Sequence, residues 1–459
     1  MRKRETWISD WNPEDENFWE SKGKTVARRN LIFSILAEHL GFSIWLVWSI
    51  VVTKLPAAGF HYSTDQLFQL VALPGLIGSL IRFPYTFAVT TFGGRNWTMF
   101  SAAVLFIPTI ALAYFSTQPD TPFGLMLLVA ATAGLGGGNF ASSMANISFF
   151  YPDRMKGWAL GLNAAGGNIG VSTVQLLVPI LMGFGIINLY QATPSAGVYI
   201  QNAGLMWMLP LAVAVFCAYR YMNNLTSAKS SFKTQLAIIK RKHTWVMSWI
   251  YIGTFGSFIG YSAAFPLLIK TQFPGVTVAV AFLGPLVGSI SRPIGGLLAD
   301  KIGGAKVTFW NFVAMGIATL GVMYYVDIKS FPGFLTMFLV LFVATGVGNG
   351  STYRMIPSIF REEKLRNAGT GAKAKAVALH SASIEAGAAL GFIGAIGACG
   401  GYLIPRGFGA SIAATGGPHL ALEVFLTFYI TCIALTWWYY LRKSLFAQLA
   451  PTNLAQARI

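Results

Sequence analysis

Long apolar stretches alternate with short polar connections along nearly the whole chain. The apolar segments fall at about 30–53, 66–91, 97–115, 122–150, 157–185, 202–222, 244–269, 274–298, 305–326, 331–360, 384–408 and 417–441. Each suffices to cross a hydrocarbon core as a helix, which takes about 20 apolar residues. Membrane strands would alternate polar and apolar over about 10 residues, a period these segments lack. The pattern predicts an all-α polytopic membrane protein with twelve transmembrane helices in two six-helix pseudo-symmetric bundles. It divides the chain into an N-terminal tail (1–29), a first bundle (30–222), a central loop (223–243), a second bundle (244–441) and a C-terminal tail (442–459). The opening thirty residues are polar, mixed in charge and followed by a full-length span. They read as a tail along the membrane surface and not as a cleavable signal peptide.

The two bundles repeat one another. GLIGSLIRFPYTFAVTTFGGRNWT (75–98) aligns without gaps on PLVGSISRPIGGLLADKIGGAKVT (285–308), and ALGLNAAGGNIG (159–170) aligns on ALGFIGAIGACG (389–400). The spacing of Gly134, Gly136 and Gly138 recurs in Gly346, Gly348 and Gly350. Three matches in corresponding order indicate a six-plus-six duplication, the plan of the major facilitator transporters. TFGGRN and GGLLADKIGGAK resemble that superfamily's loop motif, with the acidic residue kept only in the second copy, as Asp300.

Composition agrees with the pattern. Of 459 residues 54% are hydrophobic and 11% charged, with a mean hydropathy of +0.58, whereas a soluble chain carries about 25% charged residues. The net charge of +17 does not indicate nucleic-acid binding. The basic residues lie mostly in alternate short loops, where they set orientation. Both termini and the central loop are thereby expected on the cytoplasmic side of an inner membrane. Cys217, Cys399 and Cys432 fall inside apolar spans and read as small buried hydrophobes without disulfides. No metal-ligand cluster, nucleophile triad or cofactor loop is legible, so neither an enzyme nor a cofactor or metal site is expected.

The candidate chemistry begins with Arg82, in GSLIRFPYTF, and its counterpart Arg292. An arginine at mid-depth costs about 2.5–3.5 kcal/mol on insertion scales. Two of them facing one cavity, with Glu38 the one acid deep in a span, call for an anion. The planar fork of arginine suits an oxyanion. Pairing or snorkelling toward an interface is the structural alternative. Glycine-rich faces (GLGGGNFASSMAN, LNAAGGNIG, GVGNGS, GFIGAIGACGG) indicate close helix packing and a passage narrow enough for a small substrate only. Asn139 and Asn146 read as interhelical hydrogen-bonders, and Arg354 as structural or gating.

ANISFFYP, ALGLNAAGGNIGVS, YIGTFGSFIGYSAAF, KTQFPGV and AALGFIGAIGACGGYLIP resemble the nitrate/nitrite porter family of the major facilitator superfamily over nearly the whole chain. The resemblance implies that Arg82 and Arg292 clamp the anion and that Phe140 and Phe255 stack on its faces. By the same likeness, Tyr251 donates a hydrogen bond and Asn168 lines the passage. Gly161, Gly166, Gly167, Gly170, Gly391, Gly397 and Gly400 fall in the paired nitrate signatures. A flat monovalent oxyanion does offer π-faces to rings and edge oxygens to guanidinium donors, although the chain's 35 phenylalanines make any one of them a weak signal.

SILAEHLGFSIWLVW places Glu38 and His39 inside the first span. Ionisable groups at that depth are proton-relay or substrate-path candidates, with hydrogen bonding to a neighbouring helix as the structural alternative. The pair tilts the expectation toward nitrate/proton symport over nitrate/nitrite exchange. The expected protein is thus a secondary transporter working by alternating access, monomeric, with nitrate, nitrite and protons as ligands, lipid around it and no nucleic-acid partner. A carrier of another small anion such as formate is the alternative within transporters, and a membrane sensor the one outside them.

Overall fold

A computed structural model of the chain describes residues 6–184, 197–228, 237–366, 368 and 371–442. Residues 443–459 of the expected C-terminal tail and 229–236 of the central loop lie outside the described residues. Twelve helices among the described residues are long and apolar enough to cross a membrane: α1 (Glu16–Val51), α2 (Thr64–Phe92), α3 (Gly94–Phe115), α4 (Phe123–Phe150), α5 (Asp153–Leu181), α6 (Asn202–Tyr221), α7 (Lys242–Gln272), α8 (Val278–Ile302), α9 (Gly304–Asp327), α10 (Phe331–Arg366), α11 (Glu385–Thr415) and α12 (His419–Leu441). All twelve expected spans are present.

Local chemistry sets several of the ends. A capping box opens α2: the Gln66 N–H donates to Ser63 Oγ at 3.2 Å, and the Ser63 N–H donates to Gln66 Oε1 at 2.8 Å, satisfying two donors that the first turn would otherwise leave bare. The turns from α2 to α3 and from α8 to α9 are duplicates. Each runs through a glycine at positive φ, Gly93 at 89° and Gly303 at 96°, a conformation that any Cβ would strain. Equivalent turns with equivalent backbone geometry are what a duplicated half should leave behind.

Two boundaries differ from the sequence expectation. The first helix begins at Glu16, well before residue 30, because its opening turns are held by protein contacts that a hydropathy pattern does not register. Trp11 Nε1 donates to the Phe149 carbonyl at 3.1 Å, Trp11 packs edge-on against Phe18 and Phe150, and Trp19 packs against Tyr151. Strand β1 (Trp7–Ile8) pairs in parallel with β2 (Asn224–Leu225), just beyond α6. Residues 6–23 are therefore anchored on the helix ends. The second difference is in α10 and α11, whose helical stretches reach Arg366 and start at Ala372, beyond the apolar segments that announce them.

The chain forms two compact units. The first comprises residues 1–230, 260–286 and 401–417, and the second residues 231–259, 287–400 and 418–459. The first unit thus holds all of α1 to α6 together with the far ends of α7 and α11 and the start of α8. Cys432 is buried as expected, but Cys217 and Cys399 are half-buried, since neither packs wholly inside its helix layer.

Candidate functional site

In the first unit Arg82 lies on α2 at 0% exposure. Its Nε donates to the Gly137 carbonyl at 2.8 Å. The guanidinium carbon sits 5.0 Å from the Trp45 ring centroid and 4.7 Å from that of Phe140, within cation–π range of both. Three helices build this seat. Trp45 on α1 is pinned by its own Nε1, which donates to the Pro74 carbonyl at 2.7 Å. A Cβ on Gly78 or on Gly137 would strike the Trp45 ring, so those glycines let α1, α2 and α4 close around the arginine. Phe42 packs edge-on against both Trp45 and Phe140.

The second unit repeats the plan with different rings. Arg292 on α8 is 4% exposed, and its guanidinium carbon lies 5.4 Å from the Tyr353 centroid on α10. Gly346 and Gly350 on α10 press against the backbone of Gly288 and Arg292, the first of these contacts being the counterpart of Gly134 against Gly78. Tyr251 stacks on Phe255 with centroids 5.3 Å apart and planes 15° apart; both are buried. Tyr251 immediately precedes, and Phe255 lies within, a π-turn, Ile252–Gly256, in α7, a distortion common at functional sites. The Tyr251 hydroxyl donates to Asn349 Oδ1 at 2.9 Å. That proton is committed to Asn349, so the donor left over in this pair is the Asn349 amide, whose Nδ2 has no hydrogen-bond partner among the described residues.

Asn168 on α5 is 0% exposed, and neither polar atom of its side chain has a hydrogen-bond partner among the described residues. Leaving a buried amide unsatisfied costs about 1–3 kcal/mol.

The signature glycines work as pairs of contacts. Gly166, Gly167 and Gly170 bring α5 against Ile35, Glu38 and the His39 carbonyl of α1, while Gly397 and Gly400 bring α11 against Tyr251 and Gly256 of α7. In both halves the fifth helix closes on the first through glycine. Gly161 has open space where a Cβ would stand, and Gly391 is half-buried.

Glu38 is 0% exposed and lies in a polar cluster of the first unit. Its Oε2 accepts from Ser143 Oγ at 2.5 Å and from Asn163 Nδ2 at 2.7 Å. Ser34 Oγ stands 2.9 Å from Ser143 Oγ. His39 turns to another neighbour, with Nδ1 at 3.1 Å from the Gly166 carbonyl; a carbonyl can only accept, so Nδ1 carries the hydrogen. The two adjacent residues therefore diverge, and each is tied to a neighbouring helix. Arg354 pairs with Asp300, Nε to Oδ1, at 2.6 Å, which makes the single acidic copy of the loop motif one half of an ion pair. Asn139 hydrogen-bonds the Ala37 carbonyl at 3.4 Å, as expected of an interhelical contact. Asn146 lies against Gly94, at the start of α3, where a Cβ would strike its side chain.

Sequence reasoning missed Trp45, Tyr353, Asn349, Ser143 and Asn163. One signal could have found Tyr353: with Gly138 aligned on Gly350, Tyr353 falls one position past the counterpart of Phe140. The others are ordinary apolar-span residues until the helices are packed.

The sequence pattern of the Major Facilitator Superfamily matches residues 39–374. A protein of Salmonella typhimurium (strain LT2) called nitrate/nitrite transporter NarU is 44% identical over 447 residues, 95% of this chain and 96% of the relative. A probable nitrate/nitrite antiporter, NarK2 of Thermus thermophilus, is 36% identical over 455 residues, 95% of this chain and 97% of the relative. Among solved structures, the D-xylose-proton symporter superposes with a TM-score of 0.65 at 15% identity, over 90% of this chain and 97% of that one. That likeness speaks to the fold.

Proposed function

Because the chain belongs to the Major Facilitator Superfamily, as a multi-pass membrane protein, we propose that it is a secondary transporter of nitrate and nitrite working by alternating access. The observation that carries this reading is Arg82: a fully buried guanidinium seated against Trp45 and Phe140, with its Nε fixed on a glycine carbonyl. A cation held dry and immobile is costly, and a small anion offsets that cost. Its counterpart Arg292 is likewise buried, with its guanidinium against the Tyr353 ring in the second half. Relatives over almost the full length are named for nitrate and nitrite, which supports those substrates over other anions.

In this reading Arg82 and Arg292 donate to the oxygen edges of the anion, and Phe140 and Phe255 offer ring faces to its flat sides. The unsatisfied Asn168 amide takes a further oxygen. Tyr251 acts through Asn349, holding that amide so that its Nδ2 is presented as the donor. The membrane is the cytoplasmic one, with both termini inside, as the distribution of Lys and Arg supports; the transporter works as a monomer.

Coupling follows from energetics. Moving an anion into an inside-negative compartment costs about 2.3 kcal/mol per charge per 100 mV, which co-transported protons offset and exchange for nitrite avoids. Glu38 is the candidate proton carrier. With Oε2 accepting from both Ser143 and Asn163, a proton belongs on Oε1, on the side of Gly167. His39 holds α5 beside it. Exchange is the second reading, favoured by the antiporter name of the Thermus relative.

The test is uptake into proteoliposomes. Nitrate should accumulate under an imposed pH gradient and be displaced by nitrite but not by formate; displacement by formate would move the assignment to a carboxylate carrier. In Glu38→Gln, pH-driven uptake should be lost while nitrate/nitrite exchange persists. Intact pH-driven uptake in that variant would remove Glu38 from the coupling and leave exchange as the mode.

A further inference from the structure

A proline inside a helix leaves the carbonyl four residues earlier without its usual N–H partner. In α7 that proline is Pro266, and the orphaned carbonyl belongs to Ser262. It is taken up from another helix. Gln175 on α5 donates from Nε2 to the Ser262 carbonyl at 2.7 Å and to Ser49 Oγ at 3.1 Å. Ser49 gives its own hydroxyl hydrogen to the Leu46 carbonyl at 2.6 Å, so both partners of Gln175 are acceptors. The amide nitrogen must face them, which fixes the orientation of the side chain. Gln175 is fully buried, and its bonds tie α5 and α1 of the first repeat to α7 of the second, all within the first compact unit.

The same end of the molecule carries matching contacts. Pro405 lies inside the second part of α11 and likewise frees the carbonyl of Gly401, onto which Gly75 of α2 is packed with no room for a Cβ. Ser172, one turn before Gln175, donates to the Phe282 carbonyl at 2.9 Å. Nearer the surface, Arg406 pairs with Asp65 at 2.8 Å, and Lys270 donates to the Thr53 carbonyl. Backbone acceptors in α7 and α11 released by proline are thus met by first-repeat helices at the end opposite the N-terminus.

We propose that Gln175 is the gate residue of that end: its amide closes the passage by occupying the Ser262 carbonyl that Pro266 leaves open, and the end opens when that bond breaks. This rests on the alternating-access reading above. A bond to a proline-freed carbonyl suits a gate because the acceptor belongs to no helix ladder, so making and breaking it leaves α7 intact. The hydrogen bond is neutral, and its loss should shift the closed–open balance by about fivefold.

The experiment uses full-length protein in proteoliposomes, with Cys217, Cys399 and Cys432 replaced and Val178→Cys as a probe one turn beyond Gln175, at a position buried in this structure. A membrane-impermeant maleimide applied to either face reads how often that end is open. Gln175→Leu should raise the labelling rate from the face opposite the termini about fivefold. Pro266→Ala returns an N–H that takes the Ser262 carbonyl within α7, and should raise the rate similarly with Gln175 intact. The two changes remove one bond, so the double variant should label no faster than either single one. An unchanged rate in Gln175→Leu, or fully multiplicative effects in the double variant, overturns the proposal. Should Gln175→Leu fail to fold, Pro266→Ala alone decides, and an unchanged rate there overturns it too. Nitrate uptake by the Val178→Cys parent is measured in parallel: its absence would sink the transport reading while the labelling result still stands for or against the gate.

Discussion

Arg82 does two things with one side chain. Its Nε is committed to the Gly137 carbonyl, which holds the guanidinium plane against Trp45 and Phe140, and the terminal amino groups carry the remaining donors of the fork. Lysine could supply the charge but neither the fixed plane nor the second parallel bond. A charge-assisted hydrogen bond is worth about 1.5–3 kcal/mol, so Arg82→Lys should raise the nitrate concentration for half-maximal uptake about tenfold or more. An unchanged half-saturation would show that charge alone suffices. The sequence could place this arginine, because its twin Arg292 stands at the equivalent position of the repeat. It could not supply the Gly137 carbonyl, since every backbone carbonyl looks the same until a neighbouring helix is packed beside it. Tyr251 illustrates the reverse case. The resemblance implies a donor to the anion, and the partner its hydroxyl has here, Asn349, shows only once α7 is packed against α10.

Among the helices, α7 shows how local geometry serves the site. An ordinary α-turn advances about 100° per residue, and the extra residue of a π-turn shifts everything on one side of it relative to the other. The turn at Ile252–Gly256 thereby sets Tyr251 toward Asn349 while Phe255 stacks on its ring. Deleting Thr254 should restore regular α geometry and rotate the Tyr251 side by about 100°. Nitrate uptake should then be lost while helical content, read by circular dichroism, stays unchanged. Retained uptake would show that the π-turn is not what positions the pair. Nothing in YIGTFGSF announces this turn, because whether an N–H bonds back four residues or five depends on what packs against the helix. The glycines were legible as close-packing positions, but that they bring α5 onto α1 and α11 onto α7 emerges only once the helices are packed. The prolines were visible as well, but not the use made of the carbonyls they free.

Across the chain, the twelve spans and their duplication follow from hydropathy and repeated motifs, while the N-terminal segment does not. It reads as a tail along the membrane surface, yet Trp19 is buried against Tyr151 and Trp11 hydrogen-bonds the Phe149 carbonyl. Truncating a buried aromatic costs about 3–5 kcal/mol. Trp19→Ala should therefore lower the thermal unfolding midpoint measurably and leave the half-saturating nitrate concentration unchanged. A changed half-saturation would tie the segment to the transport site instead of to stability. The contrast has a general cause. Apolar length, helical period, glycine spacing and a paired charge are properties of the string of residues, and the solvent they face imposes them directly. So the membrane class, the number of helices, the six-plus-six plan and the two arginines could be read without coordinates. Hydrogen-bond partners distant in sequence are different: Gln175 with Ser262, Glu38 with Ser143 and Asn163, and Trp11 with Phe149 all arise because a buried polar group must find some partner. Which one it finds depends on helix rotation and depth, and those are settled by packing the helices together.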